Sequence, residues 1–247
     1  MRFKRTLSAL IGGATALVAF ASLAPVASAQ PAPGDVTPFI IGGGTASNAP
    51  WAARLFANGR ENCSATIIAP TWILTAQHCV ASSATYTFRV GSLDQTSGGT
   101  VVNAVSITQH PSADLALVRI DRSVGGTYAP LGTTTAVRAG QTVQLYGWGA
   151  TCTNQPEINC QSRYLKVADT TVTSVTGRDY RGGIAVSVRR GNGIAAGGDS
   201  GGPMFATSPA DGRYYQVGVA STSDRATVSN YTNITRYRPW IQSLAGV

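Results

Sequence analysis

The sequence predicts an all-β, antiparallel fold of barrels or sandwiches with one helix at its C-terminal end. Short apolar, β-branched stretches recur between clusters of Gly, Ser, Asn and Thr, and a helical period appears only at the end of the chain. Residues 1–39 read as targeting and processing segments rather than as part of that fold.

The chain opens MRFKRTLSALIGGATALVAFASLAPVASAQ, with a basic cluster at Arg2, Lys4 and Arg5, an apolar stretch, and the small residues Ala27-Ser28-Ala29 as a cleavage site. This layout predicts a secretory signal peptide over 1–29. Ser22, Pro25 and Ser28 interrupt the apolar run before it makes a membrane span. No later stretch is long and apolar enough either, so the expectation is a secreted, extracellular protein with no membrane contact once the signal is gone. Residues 30–39, QPAPGDVTPF, hold three prolines and read as a short propeptide, with the mature domain starting at Ile40. Strand candidates follow in order as SATIIA, WILTA, YTFRVGS, VVNAVSIT, DLALVRI, TVQLYGWG, KVADTTVTSV, IAVSV, YYQVGVAS and ATVSNYTNI. In the terminal TRYRPWIQSLAGV, the apolar Tyr237, Trp240, Ile241 and Leu244 fall on one helical face, suited to docking on the strands.

Beyond the signal there remain roughly 210 residues, enough for one domain or two small ones packed together. All four cysteines, Cys63, Cys79, Cys152 and Cys160, lie in this part. In an exported chain they predict two disulfides, and of the three possible pairings the local one joins Cys63 to Cys79 and Cys152 to Cys160. Zinc is disfavoured, because neither pair has CxxC spacing and the chain has only two histidines. The formal net charge is +8. It stays positive after loss of residues 1–39, but the arginines are scattered, without the basic-aromatic interleaving of a nucleic-acid groove. No nucleic-acid partner is expected.

Ser200 lies in GNGIAAGGDSGGP, and Gly198 to Gly202 satisfy the G-x-S-x-G pattern of α/β-hydrolases. Those enzymes have their histidine after the serine, whereas His78 and His110 both precede Ser200, so that reading fails. Histidine, then aspartate, then serine is another order of the same catalytic set.

With IIGG and a following PW, LTAQHC, HPSADLALVRI, YGWG, GDSGGP and NYTNI in sequence, residues 40–247 resemble the chymotrypsin/trypsin-like serine proteases, closest in style to small secreted bacterial members. The resemblance implies two packed six-stranded antiparallel β-barrels with a C-terminal α-helix, the first over about 40–132 and the second over about 133–247. It implies a cofactor-free, metal-free, monomeric serine endopeptidase acting on peptide or protein substrates through an acyl-enzyme. His78 would be the general base, Asp114 its orienter and Ser200 the nucleophile, with the Gly198 and Ser200 N–H groups as the oxyanion hole. The chemistry agrees, since a serine hydroxyl attacks well only when an imidazole takes its proton and a carboxylate fixes that imidazole's tautomer. His110, before Pro111, takes a structural reading. The resemblance further implies that Asp199 pairs with a new Ile40 α-amino group after propeptide removal, making the protein a zymogen.

The pattern departs from the family at the expected substrate pocket of Ile194, Ala195, Ala196, Ser221, Thr222 and Ser223. Ile194 stands where trypsin-like members carry an aspartate, Ala196 replaces a pocket cysteine, and Ser221-Thr222-Ser223 replaces Ser-Trp-Gly. An apolar residue before the scissile bond is therefore expected, since a basic one would be buried unpaired. The alternatives are trypsin-like specificity through an unconventional acid such as Asp224, a secreted esterase, or a non-catalytic protease-like binding protein.

Overall fold

The computed structural model describes residues 40–247. The expected signal peptide (1–29) and propeptide (30–39) lie outside the described residues. The strands are β1 (Gly44–Thr45), β2 (Ala52–Ala57), β3 (Arg60–Ala69), β4 (Trp72–Thr75), β5 (Tyr86–Val90), β6 (Thr100–Gln109), β7 (Ala116–Ile120), β8 (Thr142–Gly147), β9 (Lys166–Arg178), β10 (Ile184–Arg190), β11 (Pro203–Thr207), β12 (Tyr214–Ser223) and β13 (Val228–Asn233). One α-helix follows, α1 (Arg238–Ala245).

Six strands close the first barrel in the order β2-β3-β4-β7-β6-β5, all antiparallel. The second runs β9-β10-β13-β12-β11-β8 and closes where β8 pairs with β9. Strand β1 adds to the outside of β9, so the stretch after Ile40, expected with the first barrel, runs along the second. Closure leaves no exposed edge in either ring.

Alternation drives the strands inward on one face, as in β5, where Tyr86, Phe88 and Val90 are buried and the residues between them are half exposed. Between β2 and β3, Asn58 and Gly59 take positive φ (51° and 75°), the two-residue turn whose twist matches a hairpin. That Asn-Gly signal marks β2, which the strand pattern alone missed; β11 was missed too, being a short apolar run straight after the active-site glycines.

One core fills the first barrel around Leu55, Leu74, Phe88 and Leu117 and extends to α1, whose Ile241 is fully buried with Tyr237, Trp240 and Leu244 beside it. The second barrel has its own core around Leu145, Val186, Met204 and Val217. Both disulfides are the local pairs, Cys63–Cys79 and Cys152–Cys160.

Candidate active site

The 3-10 turn Gln77–Val80 follows β4 at the edge of the first barrel and carries His78. Cys79, next in the chain, is bridged to Cys63 in β3, which ties that turn to the barrel wall. The sulfurs lie close to the His78 ring, but they are bonded to each other and offer no thiolate to a metal.

Asp114, just before β7, is fully buried and grips His78 twice: Oδ2 lies 2.8 Å from Nδ1, and Oδ1 accepts the His78 backbone N–H at 3.0 Å. Its Oδ2 also accepts the Ser221 hydroxyl at 2.6 Å. Burial alone would raise the Asp114 carboxyl, but the bonds and charge from His78 and the Ser221 hydroxyl outweigh it and hold the group below its ordinary value. An ionised carboxylate buried against Nδ1 fixes the tautomer that leaves Nε2 free to accept a proton. Behind it, the buried Asp179 accepts the Asp114 backbone N–H at 2.9 Å.

Ser200 lies on the second barrel, in the loop before β11. Its backbone oxygen accepts the Ser64 N–H at 2.8 Å, so the loop is stitched to β3 of the first barrel. Ser200 and His78 open on one cavity of about 360 Å³, walled also by Ala195, Ala196, Ala220, Ser221, Thr222 and Ser223. The peptide groups ahead of Ser200 are all anchored. Gly197 O accepts the Ala150 N–H at 2.7 Å and Asp199 O the Gly202 N–H at 2.8 Å. A trans peptide points its N–H opposite to its C=O, so the Gly198 and Ser200 N–H groups are turned away from these acceptor contacts. Gly198 needs its φ of +96°, and a Cβ there would collide with Gln161.

Among the expected pocket residues, Ile194 is a correction. It is fully buried and does not line the cavity, because it packs against Ile41 and Ala150 while Ala195 and Ala196 form the wall. Ser221 has a second task in binding Asp114. Ser223 Oγ reaches to the Ala195 oxygen at 2.6 Å and is held from behind by the buried Ser229, whose Oγ donates to it at 3.0 Å. Asp224 points away and caps its own turn, accepting the Ala226, Thr227 and Val228 N–H groups. Arg225, at φ 62°, pairs instead with Glu157, Nη2 to Oε2 at 3.1 Å, at the cavity rim. Sequence reasoning missed Tyr180 and Arg225 as wall residues, since no local signal marks them. His110 has its ring against Tyr237 and Trp240 of the C-terminal segment, 4.7 and 5.1 Å between centroids, and takes no part in the cavity.

A family model described as Trypsin matches residues 40–241. The chain belongs to the trypsin family. It is a serine endopeptidase of that family's two-barrel fold. Trypsin alpha-4 of Lucilia cuprina is 30% identical over 229 residues, covering 83% of this chain and 87% of that protein. Trypsin iota of Drosophila melanogaster is 28% identical over 233 residues, covering 85% and 90%. Among solved structures, neuropsin, a serine protease expressed in the limbic system of mouse brain, superposes with a TM-score of 0.68 at 26% identity, covering 81% of this chain and 97% of that one. These relatives are animal proteins, and they do not support the expected small bacterial type. No helix among the described residues is long and apolar enough to cross a membrane.

Proposed function

We propose that the chain is made as the secreted, monomeric precursor of a serine endopeptidase that cleaves after small apolar residues. Residues 1–29 are its export signal, 30–39 its propeptide and 40–247 its protease domain. The reading rests above all on His78 Nδ1 lying 2.8 Å from the buried Asp114 while His78 shares its cavity with Ser200.

In this mechanism His78 Nε2 takes the Ser200 proton as Oγ attacks the scissile carbonyl, and the resulting oxyanion accepts the Gly198 and Ser200 N–H groups. The imidazolium, stabilised by Asp114, passes its proton to the leaving amine, and the acyl-enzyme remains. Water then repeats the sequence and frees the acid. No cofactor is needed.

Activation follows from Asp199. Asp199 is 1% exposed, its carboxylate accepts the Gly149 and Ala196 N–H groups at 2.7 and 2.9 Å, and it is pushed up to about 7 by burial. In the uncut chain the Ile40 nitrogen is a neutral amide. Cleavage after Phe39 turns it into an ammonium group, the missing partner for an ionised Asp199, and Ile40 is already fully buried.

Specificity follows from the pocket. Ala195, Ala196 and the Ser223 hydroxyl narrow the pocket, and among the described residues no carboxylate lines the cavity while the Arg225 cation stands at its rim. On matched peptides, kcat/KM is expected to favour Ala and Leu before the scissile bond over Phe by about 10-fold, with Arg last. A preference for Arg would overturn this reading.

A further inference from the structure

Arg54 is a cation sealed inside the protein. It interrupts the apolar β2 sequence AARLFA and has no exposed surface. A guanidinium so deeply desolvated is tolerated only where its N–H groups find acceptors. Arg54 Nε donates to Gln95 Oε1 at 2.8 Å, Nη1 to the Gly198 carbonyl at 3.1 Å and Nη2 to Gln161 Oε1 at 2.9 Å. Two of these three bonds lead to the loop just ahead of Ser200.

The Gln161 contact carries the effect one bond further. A guanidinium has donors only, so Gln161 must present Oε1 to it and turn its Nε2 the other way. Nε2 there donates to Gly197 O at 2.8 Å and to Glu157 O at 3.0 Å. Gly197 O belongs to the same peptide plane as the Gly198 N–H. With that oxygen held by Gln161 and by the Ala150 N–H, the Gly198 N–H is fixed pointing the opposite way. Arg54 thus grips the peptides on both sides of Gly198, one directly and one through Gln161, and Ser64 Oγ supports it with a bond to Gly198 O at 2.9 Å.

We propose that Arg54 is a positioning residue for the oxyanion hole, holding the Gly198 N–H towards the substrate through the Gly198 carbonyl and through Gln161. The proposal rests on the reading of the Gly198 and Ser200 N–H groups as the oxyanion donors. An apolar residue at 54 would leave the Gly198 oxygen to Ser64 alone and release the Gln161 amide to turn over. Its Oε1 would then face the Gly197 oxygen, repelling the peptide that must stay fixed.

The test uses the processed enzyme and two variants, Arg54→Met and Gln161→Glu. The second keeps an acceptor for Arg54 but has nothing to donate to Gly197 O. For each, kcat and KM are measured on a peptide anilide per titrated active site. Affinity is measured for a peptide aldehyde, whose adduct places an oxyanion in the hole, and for the matching peptide alcohol, which forms no adduct. Loss of positioning predicts that kcat falls by about 10-fold or more while KM stays within about twofold, since removing one oxyanion donor outright costs about 10²–10³. Aldehyde affinity should fall with kcat/KM, and alcohol affinity should hold. If Arg54→Met does not fold, Gln161→Glu decides alone. Folded variants with kcat within about twofold of wild type, or with aldehyde and alcohol affinity lost in parallel, overturn the proposal. A processed wild type that hydrolyses nothing overturns the endopeptidase reading beneath it instead.

Discussion

On the proposed mechanism, Ser200→Ala removes the hydroxyl that His78 activates for attack on a carbonyl. Because nucleophile, base and orienter act as a unit, kcat on a peptide anilide is expected to fall by about 10⁶-fold with the melting temperature little changed. Residual hydrolysis above a small fraction of wild type would assign the nucleophile elsewhere. Ser223 tests the pocket at the same scale. Its hydroxyl is held by Ser229 and reaches the Ala195 oxygen, so Ser223→Gly opens the space that this one hydroxyl fills. A pocket gaining the room of one side chain shifts discrimination by about 1–3 kcal/mol, and the kcat/KM ratio of Phe over Ala peptides should rise by about 10-fold or more. An unchanged ratio would mean that Ser223 does not set the depth. His78, Asp114 and Ser200 could be picked out in the sequence because chemistry restricts the residue type, and the structure brings His78 onto Asp114 and opens Ser200 on the same cavity. Ile194 was expected in the pocket wall and is buried instead, because burial in a loop is decided by the segments packed against it, here those of Ile41 and Ala150.

Helix α1 is marginal on its own: eight residues fall short of the length at which an isolated helix persists in water. What holds it is the buried Ile241, with Tyr237 and Trp240 packed on the His110 ring. Ile241→Ala is expected to cost roughly 3 kcal/mol and to lower the melting temperature by about 6–12 °C, read by calorimetry. A shift under about 2 °C would mean the helix is not part of the cooperative core. The helix was visible in sequence through its period, and most strands through their β-branched runs. Strand β2 was harder to see because Arg54 breaks the apolar pattern inside it, and that break has its reason in another element, the loop before Ser200.

Across the whole molecule, the sharpest expectation concerns pH and propeptide removal. Asp199 is held at about 7 against an ordinary value of 3.8, chiefly by burial, with the Arg54 charge opposing that rise and the Glu157 charge adding to it. Below pH 4 the group is protonated in both the folded and unfolded uncut chain and costs nothing. As pH rises from 4 to 7 the unfolded chain gives up its proton first, so the fold is progressively destabilised, by a total on the order of 4 kcal/mol. On the proposed activation, cleavage gives an Ile40 ammonium that neutralises the buried carboxylate and removes that penalty. Urea denaturation of precursor and processed enzyme should therefore give similar stabilities near pH 4 and a gap that widens to pH 7 and then levels. Parallel curves would refute the pairing of Ile40 with Asp199. In the processed enzyme the gap should close again at alkaline pH, as the ammonium is lost.

The sequence by itself determined the all-β class and the chain order of His78, Asp114 and Ser200, because these rest on residue chemistry and short-range pattern, while of the three possible disulfide pairings the structure forms the local one. Period, turn residues and nucleophile context are all written within a few positions of one another. Only the tertiary structure decided which side chains line the cavity, where Asp224 and Arg225 spend their charges, and why an arginine lies inside β2. Those depend on two barrels meeting, with partners such as Arg54 and Gly198 separated by 144 positions in the chain. Burial makes such a contact strong, and it leaves no trace in the local pattern of either segment.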